Sequence, residues 1–411
     1  MELSDLINVN DSKLIFDALT KAGGNNRFVG GCVRNALLDL PIKDIDIGTT
    51  LTPDDVETAF ANAPGVKIIA VGKSHGTIMI VLNKHVYEIT TLRRDIETDG
   101  RFATVEYTND WMEDAARRDF TINALSYDPI TNELFDYFKG RKDLETGTIR
   151  FVLAPTKRVE EDHLRILRLF RFYTYYGKTI DQPSLDACIK YAGKLKNISN
   201  ERKMSELFKI IEHERYLATL KLMQKCNALE YLHPIGMEWI NAIKLCARME
   251  SIAEQVKYKT DMPLRLFTLL AGGEVLNQFK VIESLSMLSA HSKQHLKRLL
   301  KFTQTATVSK LEADPYRFLY FFRELLLDGF IYFAACEPNL TNLQEKFEEL
   351  DALARVSINK FPLTGNDLIE QFNIKPGAKL GDLLDKVRDL WFKSKCTASK
   401  DMLSTQAKQY L

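Results

Sequence analysis

A change of texture near residue 156 limits what this chain can fold into more than any other feature. Before it lie short apolar runs broken by Gly, Pro and Asn: RFVGG, DIDIG, VKIIAVG, TIMIVL, VYEITTL and ELFDYF, which read as strands of one sheet. Beyond it such runs nearly vanish, and helix-period stretches such as DHLRILRLFRFYTYYG, ERKMSELFKIIEH and HSKQHLKRLLKF follow one another to the end. The pattern predicts an α+β protein, a small mixed sheet followed by helices alone. Residues 3 to 22 predict a leading helix capped at Asn10 or Asp11, LTPDDVETAFANA a helix with Pro53 near its start, and Asn83, Lys84 and His85 the connection of a hairpin. Gly147, Pro155 and Thr156 punctuate the change, and Pro362, Gly365, Pro376 and Gly377 mark a last segment. The expected divisions are 1–150, 151–225, 226–355 and 356–411.

The formal net charge of +1 neither suggests nor excludes a nucleic acid partner, so local charge must decide. Six scattered cysteines, without a CxxC pair or nearby His at ligand spacing, indicate neither a disulfide framework nor a zinc site. No apolar stretch reaches membrane-spanning length, and MELSDLINVNDSKL lacks a basic region followed by an apolar run. A cytoplasmic location follows as the expectation, with no membrane and no protein partner implied.

In RFVGGCVRNALL a short strand runs into Gly30-Gly31 and then a helix-like stretch, so backbone amides at the turn can face a phosphate, with Gly31 and Arg34 as candidate contacts. A double glycine alone is as readily a structural turn. In DIDI, however, a period-2 strand puts Asp44 and Asp46 on one face and Ile45 and Ile47 on the other. Two converging carboxylates repel without a cation, whereas magnesium prefers oxygen ligands and keeps positions open for substrate phosphates. A solvated strand rim is the bland alternative, which the preceding GGxxR turn weakens. Glu88, inside an otherwise apolar run, supplies a third carboxylate or is an ordinary edge-strand glutamate. Three carboxylates could hold two metals, one activating an attacking hydroxyl and one stabilising leaving pyrophosphate. That pattern points to nucleotidyl transfer.

In EEDHLRILRLFRF, Asp162, Arg165, Arg168 and Arg171 recur every three residues, which predicts one helix side carrying all four. The intervening Ile166, Leu167, Leu169, Phe170 and Phe172 leave that helix little exposed surface, so the arginines are expected to need an anionic partner. Asp162 beside Arg165 offers an acceptor and a donor pair. That matches cytosine or adenine, whose exocyclic amino donor lies beside a ring-nitrogen acceptor, and opposes guanine and uracil. Each unpaired polar group costs about 1 to 3 kcal/mol, enough to reject a wrong base by about one to two orders of magnitude.

Taken together, GGCVRN followed by KDIDI resembles the head of the class II CCA-adding enzymes and bacterial poly(A) polymerases. The family pattern has Asp where this chain has Asn35; asparagine brings no charge and is not assigned to the metal. EDHLR is similar to the family's EDxxR motif, which implies that Asp162 and Arg165 act as an amino-acid template and that Arg168 and Arg171 contact the nucleotide. RRDFTINAL resembles the ribose and triphosphate motif, which implies roles for Arg118 and Asn123. DYFKGRKDL resembles the link between head and helical neck, and ISNERKMSEL a later neck motif.

TLRRDIETDGRFATVEYTND resembles the flexible loop of enzymes able to add the terminal A, and Gly100 with its polar neighbours suits a mobile loop. VGKSHGTIMIV is closer to the CCA-adding type than to poly(A) polymerases, and no His-Asp dipeptide follows residue 226, so a hydrolytic second activity is not expected. The resemblance implies addition of C, C and A to the tRNA 3′ end from CTP and ATP with Mg2+. An A-adding enzyme or a poly(A) polymerase is the nearest alternative, and a catalytically silent RNA-binding protein the alternative of another class. From 157 to 225 the chain has 15 Lys plus Arg against 9 Asp plus Glu, an excess suited to the acceptor arm of tRNA. Lys293, Lys297, Arg298 and Lys301 form a second basic stretch, and LTGNDLI with IKPGAKLGDLLDKVRDLW resembles the family's tRNA-contacting tail.

Overall fold

The computed structural model describes residues 3–411 apart from 10, 43, 71, 100–101, 233–236 and 276. The chain forms two compact units, Met1–Pro234 and Ile235–Leu411.

In the first unit, strand alternation builds the sheet. Along β4 (Thr77–Leu82), Ile78, Ile80 and Leu82 are buried while Thr77, Met79 and Val81 stay half-exposed, so one face seals against helices. β4 joins β5 (His85–Thr91) through a two-residue turn in which Asn83 and Lys84 both have positive φ, 49° and 70°. His85, expected in the connection, is the first residue of β5 and pairs with Leu82. β1 (Asn26–Val29), β2 (Ile45–Thr49), β3 (Val66–Ile69), β8 (Ser126–Asp128) and β9 (Glu133–Phe135) complete a seven-stranded sheet in the order β3-β4-β5-β2-β1-β8-β9. β2 runs parallel to β5 and the other neighbours are antiparallel, so the sheet is mixed.

The core beneath it gathers Phe28, Val33, Ile45, Ile47, Ile78, Ile80, Tyr87 and Ile89 with Phe16 and Leu19 of α1 (Ser12–Lys21), and with residues of α2 (Gly31–Leu37) and α3 (Pro53–Phe60). α3 starts at Pro53 behind a capping box between Thr52 and Asp55, as the sequence pattern predicts. The leading helix is divided: a 3-10 segment spans Leu3–Asn8, and α1 begins after Asp11, whose side chain makes no cap bond; Asn10 lies outside the described residues.

Residues 91–110, expected to form a loop, contain two paired strands. β6 (Arg93–Asp99) and β7 (Phe102–Tyr107) pair as an antiparallel ribbon, while Gly100 lies outside the described residues. Arg94 helps fix the base of the ribbon, bonding to Glu106 at 2.7 Å and to Glu113 of α4 (Trp111–Ala116) at 3.1 Å.

After α5 (Gly140–Thr146) and the short parallel pair β10 (Thr148–Ile149) and β11 (Thr179–Ile180), helices take over. They are α6 (Pro155–Glu161), α7 (Arg165–Tyr176), α8 (Gln182–Tyr191), α9 (Asn200–Glu212) and α10 (Tyr216–Lys225). α7 buries Ile166, Leu167, Leu169 and Phe170, and Thr174 reaches Thr219 of α10 at 2.8 Å.

The second unit is built of helices among its described residues, from Trp239–Gln255 to Lys400–Ala407. Its last segment has its own core of Leu368, Leu383, Val387, Trp391 and Leu403, entered by the helix Gly365–Phe372 behind a Thr364–Asp367 capping box. The basic stretch at 293–301 is partly neutralised: Lys297 pairs with Glu283 and Arg298 with Glu324, while Lys293 donates to the Glu283 carbonyl.

Candidate active site

The chain leaves β1 through Gly30, whose φ of 70° and ψ of −120° suit only glycine, and enters α2 at Gly31. A Cβ at Gly30 would lie 2.8 Å from Arg118 Nη1 and 3.9 Å from Asp46 Oδ2, so this turn brings those two groups against bare backbone. Gly30, Gly31, Arg34, Asp46, Arg118, Asp119, Asn123, Asp162, Leu164, Arg165, Arg168, Phe172 and Arg202 line one cavity of about 500 Å³. Among the described residues, five arginines against three aspartates leave the wall cationic, with no lysine in it.

Ile45 and Ile47 are buried in the core, and Asp46 faces the other way, into the cavity. Asp44 sits just before β2 and is exposed. Glu88 is the direct neighbour of Asp46 across the parallel β2–β5 pair. Burial, then the charge of Glu88 and, less strongly, that of Asp44, push the Asp46 carboxyl up to about 6 against the pull of Arg118 and Arg34. A carboxylate so reluctant to ionise alone, with two more beside it, fits a divalent cation that takes oxygen ligands. Among the described residues no group of three or more His, Cys, Asp or Glu side chains forms a ready metal cage. One or two protein oxygens, with phosphate and water completing the shell, is how magnesium is commonly held.

A hydrogen-bonded chain sets the rest of the wall. Asp119 accepts from Arg168 Nε at 2.8 Å, from Asn123 Nδ2 at 3.0 Å and from the Phe120 amide at 2.9 Å. Burial opposes its ionisation, but the Arg168 charge and these bonds outweigh it and hold the carboxyl at about 2. Asn123 Oδ1 in turn accepts from Arg34, which is buried and also donates to Tyr176 Oη at 2.9 Å and to Asn35 Oδ1 at 2.8 Å. Asn35 donates onward to the Pro41 carbonyl. Arg118 pairs with Asp114 of α4 at 3.1 Å.

Asp162 is not on the helix with the arginines. It lies in the break between α6 and α7 with φ −151° and ψ 108°, where Oδ1 accepts from the Leu164 amide at 3.0 Å and Oδ2 from Arg202 at 2.7 Å. Its carboxylate competes for the backbone donors that a continuous helix would need. A three-residue step also falls about 60° short of a full turn, so by Arg171 the row has swung about 120° from Arg165. Arg165 and Arg168 line the main cavity, whereas Arg171 lines a neighbouring one. The expectation that these arginines need an anionic partner is met within the chain: Arg165 pairs with Glu161, Arg168 with Asp119 and Arg171 with Glu206.

Eight of the eleven residues singled out from sequence thus share one cavity: Gly31, Arg34, Asp46, Arg118, Asn123, Asp162, Arg165 and Arg168. Asp44 and Glu88 act on Asp46 from beside it. Gly30, Asp119 and Arg202 also line the wall and were not singled out, although GGCVRN, RRDFTINAL and ISNERKMSEL contain them.

The described residues contain no helix long and apolar enough to cross a membrane. Residues 26–150 match the family model described as the poly A polymerase head domain, and residues 177–239 match the one described as a probable RNA and SrmB-binding site of polymerase A. The chain is 33% identical to the mitochondrial CCA tRNA nucleotidyltransferase 1 of Homo sapiens over 97% of this chain and 89% of that protein. It is 31% identical to the CCA-adding enzyme of Streptococcus suis over 91% and 90%. The fold is similar to that of the Bacillus stearothermophilus CCA-adding enzyme solved in complex with CTP, with a TM-score of 0.75 and 24% identity over 100% of this chain and 98% of that one. It is also similar to the Thermotoga maritima CCA-adding enzyme complexed with tRNA, with a TM-score of 0.68 and 20% identity over 100% and 98%.

Proposed function

The chain belongs to the family of CCA-adding tRNA nucleotidyltransferases, and from that premise we infer that it adds C, C and A in turn to the 3′ end of tRNA, from CTP and ATP and without a nucleic acid template. The observation that carries this reading is a single cavity wall that includes both Asp46 and the pair Asp162 and Arg165. The same space then serves phosphate chemistry and base choice.

In the proposed reaction the tRNA 3′ hydroxyl gives up its proton to solvent as its oxygen forms the new bond to the α-phosphorus, and the bond from the α-phosphorus to the bridging oxygen of the β-phosphate breaks. Pyrophosphate leaves with the electron pair. Asp44 and Asp46 would hold magnesium, with Glu88 beside them; when bound, it supplies positive charge for the attacking hydroxyl and the leaving oxygens. Arg34 and Arg118 face the triphosphate, Gly30 and Gly31 let it approach the backbone, and Asn123 positions Arg34. Asp162 and Arg165 read the base edge. Arg202 orients the Asp162 carboxylate and Glu161 restrains Arg165. Arg168 shapes the wall through Asp119.

We read 1–150 as the catalytic head, 151–225 as the neck, and 226–355 and 356–411 as body and tail that hold tRNA. A reducing compartment, the cytoplasm first among them, suits six free cysteines. Asp44→Ala tests the metal role: incorporation of labelled CTP is expected to disappear while tRNA binding by filter retention stays within about twofold, since phosphate contacts elsewhere carry that affinity. Turnover retained in that variant refutes the role.

A further inference from the structure

Arg34 is a wall between two cavities. On its far side, within the same unit, lies a space of about 200 Å³ lined by Arg34, Arg171, Phe172, Tyr175, Tyr176 and Lys209. Its cations come from α2, α7 and α9, and no acidic side chain among the described residues lines it. Arg34 makes no ion pair among the described residues; its bonds go to the neutral oxygens of Asn123, Asn35 and Tyr176, and its guanidinium lies 4.1 Å from the Tyr176 ring centroid. Arg171 and Lys209 share one carboxylate, Glu206, at 3.1 Å and 3.9 Å. Three cations facing one space, with a single buried carboxylate behind two of them, form an arrangement that an anion would relieve.

Size and position say which anion. The space lies below the roughly 300 to 1,000 Å³ usual for a drug-sized ligand, so it suits a small, highly charged group better than a nucleotide. Arg34 and Phe172 line both cavities, so the second adjoins, across a shared wall, the one assigned above to the nucleoside triphosphate. An RNA strand fits less well, because its 3′ hydroxyl must come to the edge formed by Asp44, Asp46 and Glu88, and none of these lines the second cavity.

We propose that this second cavity is a product site that receives inorganic pyrophosphate after transfer, Arg34 handing it to Arg171 and Lys209. The proposal rests on the nucleotidyl transfer reading. Once the bond between the α-phosphorus and the bridging oxygen has broken, the released pyrophosphate keeps that oxygen and its electron pair, and its added charge favours the more cationic space. Tyr175 is held by donating to the Lys209 carbonyl at 2.9 Å, so the walls are fixed by contacts of their own.

The test is product inhibition of the full chain, with tRNA lacking its 3′ end, CTP and added inorganic pyrophosphate. Lys209 has a half-exposed side chain, so Lys209→Ala is expected to fold. The expected result is an inhibition constant for pyrophosphate raised about fivefold or more, since a charge-assisted contact is lost, with the KM for CTP little changed. Lys209→Arg is expected to restore inhibition. An unchanged inhibition constant in Lys209→Ala overturns the proposal, as does a rise in the KM for tRNA alone, which would assign the cavity to an RNA phosphate. Wild-type protein that incorporates no CTP would instead defeat the functional reading itself.

Discussion

Replacing Gly30 by alanine separates what the glycine turn does for the fold from what it does for the site. The residue has φ 70° and ψ −120°, a region that a side chain makes costly by about 1 to 3 kcal/mol. For a unit of this size that corresponds to a fall in melting temperature of about 3 to 10 °C. The added Cβ would also stand 2.8 Å from Arg118 Nη1, too close for either to remain. The guanidinium is the far end of a flexible side chain and gives way before the backbone does, straining its pair with Asp114 and leaving the place assigned to the triphosphate. Loss of one charged contact of about 1.5 to 3 kcal/mol lowers kcat/KM for CTP and ATP alike by about ten- to a hundredfold. Gly31→Ala is the control: its Cβ meets nothing nearer than Arg34 Nη2 at 3.7 Å, so its melting temperature is expected to stay near that of the parent. Circular dichroism melts and steady-state incorporation of CTP and of ATP measure both effects. A Gly30→Ala variant that melts and turns over like the parent would refute the reasoning.

Asp162→Ala is expected to lower discrimination against UTP and GTP by about one to two orders of magnitude while incorporation of some nucleotide persists; unchanged selectivity in competition assays rules out the side-chain template. Asp119 links stability to pH. With its carboxyl held at about 2, below the ordinary 3.8, it contributes stability in full above about pH 4 and loses it as pH falls through 2. Asp119→Asn should cost about 2 kcal/mol at neutral pH and flatten the fall in melting temperature between pH 5 and pH 2; a parallel fall in both proteins contradicts the ion pair with Arg168.

Much of the sheet was legible where a strand buries alternate residues: Ile78, Ile80 and Leu82, or Ile45 and Ile47, mark the period directly. Ser126–Asp128 is too short to show a period, and only its pairing with Phe28 and Val29 on one side and Glu133–Phe135 on the other makes it a strand. The ribbon of β6 and β7 carries polar residues along both strands, so its sequence reads as a loop while its backbone ladder makes it a hairpin. The facing of Asp46 away from Ile45 and Ile47 follows from period 2, whereas Asp44, just before β2, lies outside the strand that the pattern extended to it. Arg171 was misplaced because a row of every third residue was treated as straight, and Asp162 because local capping of Leu164 leaves no mark in the helical pattern around it. Partners distant in sequence, Asp119 for Arg168 and Arg202 for Asp162, could be quoted in motifs but not joined until the chain was folded.

Sizing the products made from one tRNA offered in three forms, ending at the discriminator base, at C and at CC, tests the whole account most directly. With magnesium, CTP and ATP, all three are expected to converge on the same CCA end and stop there. CTP alone should extend the first by two residues and the second by one, and ATP alone should extend only the third. A long A tract from ATP alone, or no extension of any form, contradicts the account.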